Sequence, residues 1–325
     1  MSIIKAAVLG TRQVPALCLG TWAWGDKHVW DYQESRDYEN LKETWKACEE
    51  LGLSFYDTAE IYGYGESERI IGRLLRDSTE EYRRKVVIAT KYLPFPHPGN
   101  WFFFRPAIVT ACKKSLERLG VEQVELYQIH GASSLPFHSW EAQGAQLAQC
   151  VKLGLTKQVG VSNFNKDELI TMYDILQRHG VQLASNQVEY SLLRTLPEDS
   201  GLFAAMKERG IALLAYSPLG QGRLTGKYSA ANPPPSGRRF SNMPMEEIEP
   251  VLETMRSIGA KYDVPVSAVA LNWVIAKGAI PLGGAKNRQQ AEQNAKALTF
   301  TLTDEEVDEL SAKSFKGKTS FWQHG

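Results

Sequence analysis

Six glycines stand just after a helical pattern and just before an apolar run: Gly52, Gly120, Gly154, Gly180, Gly210 and Gly278. Glycine takes the left-handed exit of a helix without Cβ strain. One such glycine constrains little, but repetition in phase calls for a helix-to-strand repeat. The apolar runs end near residues 20, 57, 91, 130, 161, 187, 215 and 282, at intervals of roughly 30–40 residues except the last. Strands spaced this way with helices between them are parallel. Eight of them read as an α/β fold of the (β/α)8, or TIM-barrel, type. The 325 residues exceed the usual barrel length of about 250, yet no stretch reads as a domain linker. Residues 1–325 are therefore expected to form one domain.

The rest of the chain decorates that repeat. An N-terminal β-hairpin is expected from Ala6–Leu9, a turn near Gly10, and Val14–Leu17. A helix is expected from about Tyr38 to Leu51, with Leu41, Trp45 and Cys48 on one face. Another opens with Arg105-Pro106, proline suiting the first helical position. Two segments, 92–104 and 217–246, read as long loops over the face where the strands end. Two helices, about 247–262 and 265–277, precede the last strand. Thr303-Asp304-Glu305-Glu306 opens a capped C-terminal helix.

Composition narrows the function. The chain carries 37 basic and 37 acidic residues, so net charge gives no support for nucleic-acid or membrane-surface binding. No run approaches a membrane span, and Met1–Lys5 lacks a signal-peptide core. A cytoplasmic protein is the default expectation. Cys18, Cys48, Cys112 and Cys150 lie far apart, without the spacing of a zinc or disulfide framework. Only His130 among the six histidines closes a strand, so no metal site is expected.

Three strand-like runs close on polar residues: Asp57, Lys91 and His130, with Tyr62 five positions after the first. A barrel collects its strand ends on one face, so these four are expected to meet. Singly, each has a bland reading as a cap, a packed ring or a solvated charge. Jointly they make an inventory for proton transfer. A phenol with a pKa of about 10 is a weak acid, and a nearby ammonium stabilises its anion. A lowering of roughly three units would correspond to about 4 kcal/mol. Tyr62 can then protonate a developing alkoxide, with Asp57 holding Lys91 charged and His130 directing the carbonyl oxygen. None of these groups supplies a hydride, so a cofactor must.

The segments Asp57–Gly63, Ala89-Thr90-Lys91 and Leu126–His130 resemble signature blocks of the aldo-keto reductases, and the resemblance runs over nearly the whole chain. Gly20-Thr21-Trp22-Ala23-Trp24-Gly25 is similar to their first strand-end loop. Gly160–Phe164 and Ser185–Tyr190 are similar to the fifth and sixth, and Ala215–Gly222 to the seventh. The resemblance implies NAD(P)H-dependent carbonyl reduction, with Lys286 tilting the choice toward NADPH, Tyr62 as general acid and Asp57, Lys91 and His130 in support. It implies that Ser162, Asn163 and Gln187 hold the nicotinamide carboxamide and that Tyr216 stacks on its ring. It extends the cofactor site to Gly20, Thr21, Trp22, Ser217, Pro218, Leu219, Gly220, Gly222 and Lys227.

The phosphate end rests on chemistry as well. Loops after the seventh and eighth barrel strands often take phosphate, and glycines with a helix N-terminus favour an anion. Lys286 and Arg288 add charge there. Gly284-Ala285-Lys286, Gln290 and Asn294 resemble the family's 2′-phosphate and adenine site, with Arg288 the weaker candidate.

Gly131 stands where related sequences often carry a bulky residue, which is expected to open room beside the carbonyl. Trp24 and Trp101 are candidate walls of the substrate space, together with His28, Trp30 and Phe102–Phe104. The expected partner is a small carbonyl compound. Two other enzyme readings fit less well. Tyr38 and Lys42 have a short-chain dehydrogenase spacing, but no Gly-x-Gly-x-x-Gly turn precedes them. A metal-dependent barrel hydrolase lacks clustered ligands. A redox-sensing regulatory subunit that keeps the cofactor pocket with little turnover remains the alternative of a different class.

Overall fold

The computed structural model describes residues 5–95, 107–133, 138–235, 240–320 and 323–325. Among the described residues ten strands are present: β1 Ala6–Leu9, β2 Arg12–Pro15, β3 Cys18–Gly20, β4 Phe55–Asp57, β5 Val87–Tyr92, β6 Val124–Ile129, β7 Thr156–Ser162, β8 Leu183–Glu189, β9 Ala212–Tyr216 and β10 Ile280–Gly284. β3 to β10 close into a barrel in the order β10-β3-β4-β5-β6-β7-β8-β9, every pairing parallel. The expected (β/α)8 architecture is therefore present. β1 and β2 form the antiparallel N-terminal hairpin.

The hairpin covers the end of the barrel opposite the strand C-termini. Leu9 and Val14 join Phe55, Val87, Leu126, Leu214 and Leu282 in one buried cluster inside the barrel. Thr11 donates its amide to the side-chain oxygen of Gln158, and Arg12 pairs with Glu125. The larger core lies between the strands and the surrounding helices. All four cysteines are buried in these layers.

Gly52, Gly120, Gly154, Gly180, Gly210 and Gly278 have φ of 72°, 67°, 70°, 71°, 66° and 87°, the left-handed region that terminates a helix. The first helix runs Glu34–Leu51, earlier than its apolar pattern indicates. Its first turn is polar and is held by Asp37 accepting from the Gln33 amide, a local bond that periodicity does not register. The helix expected from Arg105-Pro106 runs Ile108–Leu119, with those two residues outside the described ones. Reciprocal capping boxes open helices at Asn165/Glu168 and Thr303/Glu306. The segment after β9 contains a 3-10 turn, Gly220–Thr225, and the next helix begins at Met245. No helix among the described residues is long and apolar enough to cross a membrane.

Candidate active site

Parallel pairing sets neighbouring strand ends level with one another, and this brings the four polar residues together. Gly20 of β3 pairs with Asp57 of β4, and Lys91 of β5 lies opposite Gln128 of β6. His130 follows β6, its amide bonded to the carbonyl of Tyr92. Tyr62 opens a 3-10 turn, Tyr62–Gly65. That turn needs a glycine at Gly63, where φ is 56° and an added Cβ would sit 2.4 Å from the Gly25 carbonyl oxygen. The close backbone approach sets the Trp22 loop beside Tyr62, with ring centroids 6.2 Å apart.

The Lys91 ammonium is fully buried. It donates to Asp57 Oδ2 at 2.5 Å, to the Thr58 carbonyl at 2.8 Å and to the Tyr62 hydroxyl at 3.4 Å. Burial pulls its pKa down, but the Asp57 charge, Tyr62 and their hydrogen bonds together push it above the ordinary lysine value. The other Asp57 oxygen accepts from Gln187 at 2.9 Å and from Gln128 at 3.4 Å. A buried carboxylate needs such partners.

Lys91 acts on Tyr62 with the expected sign but is outweighed. Burial raises its phenol above the ordinary tyrosine range, and Lys91 pulls downward without cancelling that. The net direction is up, so the hydroxyl keeps its proton throughout the neutral range. The physical reason is desolvation, which the sequence does not display. Burial, then Lys91, pushes the His130 imidazole well below its ordinary pKa. Among the described residues its buried Nδ1 has no hydrogen-bond partner, which leaves Nε2 as the nitrogen available to the cavity. The Tyr62 and His130 rings meet edge to face with centroids 5.6 Å apart.

These residues open into a cavity of about 1210 Å³, which continues from Tyr62 and His130 to Lys286 and Asn294. Gly20 and Gly284 pair at its floor, so no side chain rises into the groove there. Thr21, Trp22, Ser162, Asn163 and Gln187 line it, as do Tyr216, Ser217, Pro218, Leu219, Gly222 and Lys227. Gly220 does not; it packs against Leu193. The amide-bearing cluster is already connected: Tyr216 donates to Asn163 Oδ1 at 2.9 Å, and Ser162 donates to the Gln187 carbonyl at 2.8 Å. At the far end Ala285 and Lys286 line the groove. Gln290 accepts from the Lys286 amide at 2.8 Å and Asn294 donates to the Gly284 carbonyl at 3.1 Å, bracing that loop. Arg288 is turned to Glu50 and Glu292 and does not line the cavity.

Two substrate-side expectations change. Trp24 is fully buried, its indole donating to the Ala285 carbonyl at 2.8 Å, so it supports the groove from behind and does not wall it. Gly131 does line the cavity, but Phe95 takes up room beside it, with a ring carbon 3.3 Å from where a Cβ would be. Trp101 and Phe102–Phe104 lie outside the described residues. His28 and Trp30 do line the cavity. Sequence reasoning missed Asp26, Phe95, Phe240 and His324, which also line it. Asp26 has a local signal: its carboxylate accepts the amides of His28 and Val29, an Asx turn, and also the Trp22 indole at 3.1 Å. The other three come from distant segments and carry no such signal. The Tyr38/Lys42 pair lies on the Glu34–Leu51 helix, with Lys42 bonded to Glu39. Among the described residues no cluster of three or more metal-ligating side chains occurs.

Comparison with known proteins agrees with this geometry. A pyridoxal reductase of Arabidopsis thaliana, a chloroplastic protein, is 35% identical over 97% of this chain and 87% of its own length. The solved structure of a glycerol dehydrogenase from Gluconobacter oxydans superposes with a TM-score of 0.79 at 27% identity, covering 98% of this chain and 97% of that one. An aldo-keto reductase from Klebsiella pneumoniae, solved in complex with NADPH, shares the fold with a TM-score of 0.72 at 24% identity over 99% and 98% of the two chains. The sequence profile of the Aldo/keto reductase family matches residues 16–314, and the chain belongs to that family.

Proposed function

We propose that this chain reduces an aldehyde or ketone to an alcohol with NADPH, reversibly, and that Tyr62 gives the proton. One observation carries the reading: the Tyr62 hydroxyl lies 3.4 Å from the buried Lys91 ammonium, at the edge of a cavity of about 1210 Å³ that runs on to Lys286. The groove's chemistry fits the cofactor. Its glycine floor at Gly20 and Gly284 leaves space for a bulky anion, and Ser162, Asn163 and Gln187 offer the donors and acceptors an amide requires. Ser162, Asn163 and Gln187 would hold the carboxamide, Tyr216 would support the ring, and Lys286 would meet the 2′-phosphate. The segments Gly20–Trp22 and Ser217–Leu219, with Gly222 and Lys227, would line the length between. Reduced nicotinamide supplies the hydride when bound.

The remaining chemistry belongs to the chain. Neutral His130 donates from Nε2 to the carbonyl oxygen and aligns it with Tyr62, because Nδ1 has no partner and the cavity side is where a proton finds an acceptor. Tyr62 then protonates the alkoxide. Lys91 stabilises the phenolate left behind, and Asp57 keeps Lys91 charged in a site from which water is largely excluded. Residues 1–325 act as one catalytic unit on a small carbonyl compound.

The test is NADPH consumption with a panel of aldehydes and ketones, pyridoxal included because the Arabidopsis relative is named for it. Tyr62→Phe should lose about 10²–10⁴-fold in kcat while still binding NADPH. Equal turnover by both forms would remove Tyr62 from the mechanism. Tight NADPH binding without turnover of any carbonyl would favour the redox-sensing subunit instead.

A further inference from the structure

Glu189, the last residue of β8, is a buried carboxylate that the chemistry above does not use. Its side chain joins two remote parts of the chain. One oxygen accepts the Ser241 hydroxyl at 2.5 Å, and the other accepts the Gln323 side-chain amide. Arg194, also buried, lies 3.7 Å from the carboxylate and donates to the Glu189 carbonyl at 2.9 Å. Gln323 also reaches the Tyr216 hydroxyl at 3.4 Å.

The chain neighbours of the two donors are cavity residues. Phe240, beside Ser241, lines the cavity and packs edge to face on Trp22 at 5.8 Å and on Tyr216 at 5.5 Å. His324, beside Gln323, lines the same cavity and pairs with Glu168 at 3.0 Å. Ser241 has φ of 50°, a strained conformation for a non-glycine residue that persists only where contacts hold it. The bond to Glu189 is such a contact.

We propose that Glu189 is the positioning residue of the carbonyl site: by holding Ser241 and Gln323 it sets Phe240 and His324, and so decides which carbonyl compounds fit. This rests on the reductase reading. Burial raises the Glu189 pKa, and the bonds from Ser241 and Gln323 with the Arg194 charge counter it. A carboxylate accepts at both oxygens, whereas an amide turns donors toward one of the two partners. Glu189→Gln should therefore loosen one segment, whose donor must turn to accept from the amide, with almost no change in shape.

The experiment compares Glu189→Gln, Ser241→Ala and Gln323→Ala with the native chain. KM and kcat are measured for a small aliphatic aldehyde and for a bulky aromatic one, alongside NADPH affinity and Tm. The ratio of the two KM values should shift by about fivefold or more in Glu189→Gln and in at least one of the milder variants, with kcat on the small aldehyde and NADPH affinity within about threefold of native. A ratio that stays at the native value in all three overturns the proposal, as does a loss shared equally by both aldehydes. Crystal structures of native and Gln323→Ala protein give an answer that needs no turnover. Displacement of His324 and a changed Tyr216 hydroxyl contact support the proposal, and unchanged poses overturn it. Absence of turnover in the native chain would strike the reductase reading alone, since the structural comparison still decides the placement.

Discussion

The side-chain amide of Gln187 donates to the Asp57 carboxylate at 2.9 Å, although the two residues are 130 positions apart. Asp57 is thereby held on both oxygens, by Lys91 on one and by Gln187 on the other. The residue proposed to grip the nicotinamide carboxamide thus also touches the group that keeps Lys91 charged.

The Asp57–Lys91 pair is buried on both sides, with side-chain exposures of 2% and 0%. Breaking it from one side strands a charge. Lys91→Met should lower unfolding stability by about 3–5 kcal/mol. Adding Asp57→Asn to the same chain should restore most of that loss without restoring reduction. Urea unfolding monitored by circular dichroism checks both. A double variant as unstable as the single one would mean that Asp57 is not charged in the native chain.

His130 makes stability depend on acid. Its folded pKa lies well below the ordinary value of about 6.5, because burial disfavours the charged ring. Below that value the unfolded chain binds a proton that the native chain refuses, so ν in the unfolded state exceeds ν in the native one. Stability contributed this way is present above about pH 6.5 and declines as pH falls, by at most about 1.4 kcal/mol per pH unit from this group. His130→Phe should show a shallower decline between pH 7.5 and 5.5. Identical slopes in urea titrations of the two proteins would mean that the native imidazole accepts the proton.

Lys286 and Arg288 are two positions apart but differently engaged. Lys286 lines the groove, 5.5 Å from the Trp30 ring, whereas Arg288 is committed to Glu50 and Glu292. Lys286→Ala should weaken NADPH binding by about 10- to 100-fold, the worth of a charge-assisted contact, and leave NADH binding nearly unchanged. Arg288→Ala should alter either affinity by less than about threefold. Fluorescence titration with both dinucleotides separates these outcomes. A larger effect at Arg288 would reassign the phosphate contact.

Gly72 lies in the helix Glu66–Asp77 where it crosses the end of the Ile108–Leu119 helix. A Cβ there would stand 2.7 Å from the Leu119 carbonyl oxygen and 2.8 Å from that of Arg118. Backbone cannot give way as a side chain can. Gly72→Ala should cost about 1–3 kcal/mol and lower Tm accordingly. Gly180→Ala meets nothing within 4 Å and carries only the left-handed strain of φ 71°, about 1 kcal/mol. Equal Tm values for the two variants would show that the helices can separate without loss.

The order of strands and helices, the helix exits and the strand-end positions of Asp57, Lys91 and His130 were legible in the sequence. Each depends on a local pattern: glycine after a helical period, or a polar residue closing an apolar run. Parallel pairing then turns position along a strand into position on one face, so the meeting of Asp57, Lys91, Tyr62 and His130 followed from topology. What only the tertiary structure decided is where each side chain found its partner. Gln187 on Asp57, Gln323 on Glu189, Arg288 on Glu50 and Trp24 on Ala285 all join residues far apart in the chain. Lys91 lowers the Tyr62 phenol as its charge dictates, but burial outweighs it and the net direction is up, because desolvation depends on every atom around the ring. Hydrophobic periodicity is a property of neighbours in sequence; burial and hydrogen-bond partnership are properties of neighbours in space.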